Sequence, residues 1–248
     1  MEGAVKVKAI LYIGHGTRSK EGAEEAKSFI HRVMERINVE IQEICFLELT
    51  KPGIEEGFLR CVDRGATEIT VVPLFLLAAG HIKEDIPQAL SSLCERYPTI
   101  NVKIRDPFGV QGKILDGLAE MVRERVTDLT PRDSVLIVGR GSSDKNIHTA
   151  FAAITKGISN RLGIEKAEVC YLAATEPRLK EGLESISVNS NGKIIVVPYL
   201  LFSGLLLKEV DHMVKIRQKL GQQIIHTGQL SKHRVIEDII IERATEGE

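Results

Sequence analysis

Apolar residues along the chain follow two alternating patterns: short continuous runs, and longer stretches with a stripe every three or four positions. Ala9–Ile13 is an unbroken apolar run closed by Gly14-His15-Gly16, as expected of a strand entering a tight turn. From Lys20 to Ile37, residues Ala26, Phe29, Ile30, Val33, Met34 and Ile37 recur at helical spacing, which puts them on one helix face. Ile41–Leu47 reads as a second strand. Pro52 suits the first turn of a helix running to about Arg64, and Gly65 suits its close. Thr67–Leu76 is apolar enough for a strand buried on both faces, and a helix around Lys83–Arg96 follows. Tyr97–Arg105 and Gln111–Arg125 supply one more strand and helix before Thr130, Pro131 and Arg132 interrupt the pattern.

The pattern then starts again. A shift of 125 positions places Gly14 and Gly16 on Gly139 and Gly141, Cys45 on Cys170, and Thr50 and Pro52 on Thr175 and Pro177. The same shift carries Glu56 and Gly57 onto Glu181 and Gly182, Val72 and Pro73 onto Val197 and Pro198, and Lys83 and Glu84 onto Lys208 and Glu209. One offset held without slippage marks an internal duplication. Alternating strands and helices build a parallel sheet covered by helices on both faces. The expected fold is therefore α/β, with two similar doubly wound parallel-sheet lobes, flavodoxin-like or Rossmann-like, over residues 1–129 and 130–248 and facing a cleft. A closed eight-stranded barrel has a similar element count but fits a halving near residue 130 less well.

Composition narrows the function. The 248 residues are 43% apolar and 27% charged, with 33 basic and 34 acidic side chains and a net charge of −1. No global field is available to hold nucleic acid or an anionic membrane. No stretch approaches the length of a membrane span and no secretion signal is evident, so a cytoplasmic protein is expected. Cys45, Cys61, Cys94 and Cys170 are far apart, without a Cys-x-x-Cys pair, and read as reduced core residues rather than zinc or iron–sulfur ligands.

Ligands of open parallel sheets bind at the carboxyl ends of strands. His15 follows the first strand, Glu48 the second and His81 the third. Two imidazoles and a carboxylate can bind a borderline divalent metal and accept protons near neutral pH. Each alone has an ordinary explanation as a loop, capping or solvated residue. The duplication separates the two readings, because it places Arg140 on His15, Ala173 on Glu48 and Leu206 on His81. Scaffold residues persist in the second half while the polar trio is lost together, so the reactive centre belongs to the amino-terminal lobe. Arg18, Lys51, Lys83, Arg140 and Lys208 are the basic residues near the proposed edge that could pair with ligand carboxylates. The Gly-x-Gly turns match neither nucleotide-binding fingerprint. A histidine-phosphatase reading lacks the arginine it needs before His15, where Gly14 stands.

Ile13-Gly14-His15-Gly16-Thr17-Arg18, Phe46-Leu47-Glu48 and Pro73-Leu74-Phe75-Leu76 through Gly80-His81 resemble the class II tetrapyrrole chelatases across nearly the whole chain. The likeness is nearest to the sirohydrochlorin ferrochelatases of siroheme synthesis and their cobalt-inserting relatives. The resemblance implies insertion of Fe²⁺ into sirohydrochlorin with release of two protons, no organic cofactor, and His15, His81 and Glu48 as metal and proton-handling residues. It leaves Co²⁺ open as the alternative metal. Ser231–Glu248 has neither the histidine-rich tail nor the cysteine-bearing cluster motif that the family's cobalt enzymes often carry, which favours iron. A non-catalytic carrier of tetrapyrrole or metal would use the same trio. The expected partners are the tetrapyrrole and the metal, without nucleic acid or membrane, and the duplication favours a monomer.

Overall fold

The structure is a computed structural model. It describes residues 6–78, 80–188, 190 and 192–246, with the side chains of residues 80–83 outside the description. Strands and helices alternate throughout: β1 (Lys8–Gly14), α1 (Lys20–Met34), β2 (Ile41–Phe46), α2 (Ile54–Asp63), β3 (Glu68–Pro73), α3 (Gly80–Arg96), β4 (Asn101–Ile104) and α4 (Gly112–Arg125). The second series is β5 (Ser134–Gly139), α5 (Asn146–Leu162), β6 (Lys166–Tyr171), α6 (Leu179–Ser187), β7 (Ile194–Tyr199), α7 (Leu205–Lys219), β8 (Ile224–His226) and α8 (Arg234–Thr245), with a 3-10 turn at Leu230–Lys232. The strands form two four-stranded parallel sheets ordered β2-β1-β3-β4 and β6-β5-β7-β8. This is the opening of the flavodoxin-like strand order. Two similar α/β lobes are thus present, as the repeat predicts.

In the first sheet, Ala9, Leu11 and Ile13 point to the face covered by α2 and α3, where Phe58, Cys61, Ile86, Leu90 and Leu93 complete the core. The opposite face carries Tyr12, whose hydroxyl donates to Gln42 Oε1 at 2.8 Å, while Gln42 Nε2 donates to the carbonyl of Met34 at the end of α1. Leu136, Val138, Cys170, Leu183 and Val210 repeat the first arrangement under α6 and α7. The repeated Gly57 and Gly182 have a packing reason. A Cβ on Gly57 would stand 2.8 Å from Cys45 Cβ, and one on Gly182 would stand 2.4 Å from Cys170 Cβ. Only glycine lets α2 and α6 lie this close to their sheets.

Two compact units divide the chain: residues up to Gly109 with those from Glu237 onward, and Val110–Ile236. The sequence halves 1–129 and 130–248 are cut elsewhere. Helix α4 belongs by sequence to the first half but packs with α5 in the second unit, where Leu115 fills the space beside Gly157. Most of α8 belongs by sequence to the second half and by packing to the first unit, where Glu237 bonds Arg32 and Arg36, both at 3.0 Å.

Element boundaries differ from expectation in instructive places. Pro52 lies ahead of α2 rather than in its first turn. Its carbonyl accepts from Phe46 N–H at 2.9 Å, keeping the segment extended beside β2, and Gly53 takes the N-cap position with Glu56 Oε2 accepting its N–H at 2.8 Å. Strand β3 ends at Pro73 and not Leu76, and β4 is shorter than Tyr97–Arg105. Cys45, Cys61 and Cys170 are buried and reduced, whereas Cys94 is half-buried. Burial pushes the thiols of Cys61 and Cys170 up to about 12 and that of Cys45 also upward, as fits packing residues rather than thiolate ligands. Among the described residues, no helix is long and apolar enough to cross a membrane.

Candidate active site

The turn after β1 and the loop after β2 are bound together by their backbones. Leu47 N–H donates to Gly14 O at 2.9 Å, and Glu48 N–H donates to His15 O at 3.0 Å. Thr50 completes the clamp: its Oγ1 accepts from Thr17 N–H at 2.9 Å and donates to Thr17 O at 3.0 Å. Gly16 has φ +94°, and a Cβ there would lie 1.7 Å from the carbonyl oxygen of Glu48. The Gly-x-Gly motif therefore permits close backbone approach between the loops, without phosphate binding as its cause.

This clamp brings two of the three sequence-predicted site residues together. His15 Nδ1 is 3.4 Å from Glu48 Oε1, with 31% and 52% of the respective side chains exposed. The distance is long for a good hydrogen bond, and both side chains are partly exposed. Phe75, just beyond β3, walls the imidazole with ring centroids 6.1 Å apart and a tilt of 59°. Sequence reasoning quoted Phe75 only within a motif. Its repeat counterpart is Leu200, so the same comparison that singled out His15 could have found it. His81 falls in the first turn of α3, and its side chain lies outside the described residues, as does that of Lys83. Among the described residues no cluster of three or more His, Cys, Asp or Glu is suited to a metal ion.

The predicted carboxylate binders are divided between the two units. Arg18 is exposed just before α1, and Lys51 is exposed and paired with Glu56 at 3.2 Å. Arg140 is exposed immediately after β5, and Lys208 is exposed in the first turn of α7, both in the second unit.

The second lobe repeats the backbone part of the clamp without the chemistry. Leu172 N–H donates to Gly139 O at 3.0 Å and Ala173 N–H to Arg140 O at 2.8 Å, while Gly141 at φ +90° abuts the carbonyl of Ala173. The loops are alike, and the residues in the positions of His15 and Glu48 are Arg140 and Ala173. His148 instead contacts Thr175 Oγ1 at 3.2 Å and the edge of the Tyr171 ring. His226 pairs with Asp211 at 3.3 Å and His233 with Glu120 at 3.0 Å.

The family model described as CbiX matches residues 9–128 and again residues 134–247. The chain belongs to the CbiX family. The double match is the internal duplication seen independently. Among curated relatives, the chain is 42% identical over 225 residues to a sirohydrochlorin ferrochelatase of Priestia megaterium, covering 91% of this chain and 85% of the relative. It is 33% identical over 248 residues to a sirohydrochlorin cobaltochelatase of the same organism, covering 97% and 80%. Among solved structures, SirB from Bacillus subtilis with Fe³⁺ superposes with a TM-score of 0.86 at 31% identity, covering 97% of this chain and 96% of that one. This CbiX-family chain is therefore similar, over nearly its full length, to chelatases named for iron and for cobalt.

Proposed function

We propose that this CbiX-family protein is a sirohydrochlorin ferrochelatase, inserting Fe²⁺ into sirohydrochlorin to give siroheme. The observation that carries the assignment to this site is the His15–Glu48 pair, set on a clamp whose backbone bonds the second lobe repeats without either group. Metal insertion replaces two pyrrole N–H protons by one divalent ion, so two protons must leave. With the Glu48 carboxylate beside Nδ1, a neutral His15 holds its proton there and directs the lone pair on Nε2 outward, toward metal or pyrrole proton. Glu48 then stabilises the imidazolium that forms when that proton is taken. His81, one helical element further on, is the second imidazole of the set. Phe75 walls one side of the imidazole and limits the directions from which a ligand can reach it.

Arg18, Lys51, Lys83, Arg140 and Lys208 are the proposed contacts for ring carboxylates. The metal enters as substrate, and a resident cofactor is not part of the scheme. Co²⁺ is the second reading, favoured by the near full-length match to a cobaltochelatase, because imidazole and carboxylate accept both ions. The reactive centre is assigned to the half spanning 1–129, with 130–248 the duplicated half without the trio, and the working state to a monomer.

The test is anaerobic conversion of sirohydrochlorin by the native chain, His15→Ala and Glu48→Gln, with Fe²⁺ and Co²⁺ in separate reactions. Loss of about a hundredfold or more in kcat is expected for His15→Ala, the scale of a lost general base. About tenfold is expected for Glu48→Gln, which keeps the shape and removes the charge. Stoichiometric binding without turnover by the native chain would favour a carrier, and full activity in both variants would refute the site.

A further inference from the structure

Leu49 combines two properties that stability alone does not explain. Its φ is +60°, in the left-handed region that side chains with a Cβ avoid, and 54% of the residue is exposed. Thr50 N–H donates to Glu48 O at 2.7 Å across it, so Leu49 is the centre of a tight three-residue turn, a strained form. An apolar side chain held in an unfavourable backbone conformation and left in water contributes little to the fold.

The second lobe supplies an internal control. Ala174 occupies the equivalent position at φ +61°, and Thr175 N–H donates to Ala173 O at 2.8 Å. The turn therefore forms equally well with a methyl group. What distinguishes the first lobe is the larger side chain, present in the half that also carries His15 and Glu48. The clamp fixes its position from both sides. Glu48 is tied to His15 through its N–H and its carbonyl faces Gly16 where no Cβ could stand, while Thr50 is tied twice to Thr17. Leu49 is held next in the chain to a carboxylate 3.4 Å from the reactive imidazole.

We infer that Leu49 is a substrate-contact residue that packs against the apolar face of the tetrapyrrole ring while His15 and Glu48 act on its centre. This rests on the chelatase reading above. A conjugated macrocycle is flat and apolar in its middle and anionic at its rim. A rigidly presented leucine suits the middle, where a basic residue would suit the rim. Covering the exposed part of the side chain should tighten ring binding about five- to tenfold, a fraction of the gain for burying a whole leucine.

The experiment uses the full chain and metal-free sirohydrochlorin under anaerobic conditions. Binding is read by ligand fluorescence, KM and kcat by metallation, and stability by thermal unfolding. Leu49→Ala and Leu49→Gly should each weaken ring binding five- to tenfold and raise KM more than they lower kcat. Leu49→Gly should also raise the Tm, because glycine accepts the positive φ without penalty. A Val188→Ala variant, at an equally exposed apolar residue, should bind as the native chain does. Native-like ring binding in both Leu49 variants, or a lowered Tm in both, would overturn the inference while leaving the chelatase reading intact. Failure of the native chain to bind sirohydrochlorin would overturn that reading and this inference together.

Discussion

A Cβ placed on Gly16 or on Gly141 meets the same obstacle, a carbonyl oxygen 1.7 Å or 1.8 Å away, at nearly the same positive φ. Replacing either by alanine should therefore cost similar stability, about 3 kcal/mol when the left-handed penalty and the displaced loop are taken together. The chemical consequences should be unequal. Gly16→Ala pushes the Glu48 carbonyl away from the His15 turn and should reduce turnover beyond its effect on stability, whereas Gly141→Ala should leave kcat near native at temperatures where it stays folded. Urea unfolding and metallation rates on the two variants measure both quantities. At this scale the site was partly legible. His15 and Glu48 stood out because the repeat removes them while keeping their frame. Leu49 did not, because positive φ at a leucine has no signature in residue type.

Strand and helix order was readable because a fully buried parallel strand and a one-sided helix impose different apolar periods. Boundaries moved where a single hydrogen bond decided the local path, as the Pro52 carbonyl does in holding residues 52–53 extended ahead of α2. The packing partner of a helix was not readable, since an apolar stripe states that a face must be covered and not by which sheet. Helix α8 is the clearest case. Ile239 and Ile240 are buried, and the residues from Glu237 onward join the first unit. Ile240→Ala should cost about 2–5 kcal/mol by the usual price of an emptied core site. Hydrogen exchange should locate the loosening in the unit built on β1–β4. A loss confined to β5–β8 would contradict the assignment.

Across the whole molecule, acid should weaken the fold through paired carboxylates. The hydrogen bond from Lys103 holds Glu68 below the ordinary carboxylate range, with a smaller share from Asn101 on the same neighbouring strand, while Lys215 and then His226 do the same for Asp211. A carboxylate with a depressed folded pKa stabilises the native state above its unfolded value and loses that contribution as pH falls through the folded one. These groups should therefore leave stability level above the ordinary carboxylate range, above about pH 5, and lower it as pH falls through and below that range. Urea midpoints across that range check the sign, and added salt should flatten the share that comes from the exposed Lys215–Asp211 pair.

The division of α4 and α8 between the units has a consequence for synthesis on the ribosome. Val110–Ile236 is one uninterrupted stretch, while the unit that begins the chain is finished only by residues from Glu237 onward. Of these two units, the one begun earlier is thus the one completed later. The sheet of β1–β4, with the His15–Glu48 pair on its edge, must wait with the place of α8 uncovered until the residues from Glu237 onward have left the exit tunnel, by which time the Val110–Ile236 unit already has every residue it needs to close.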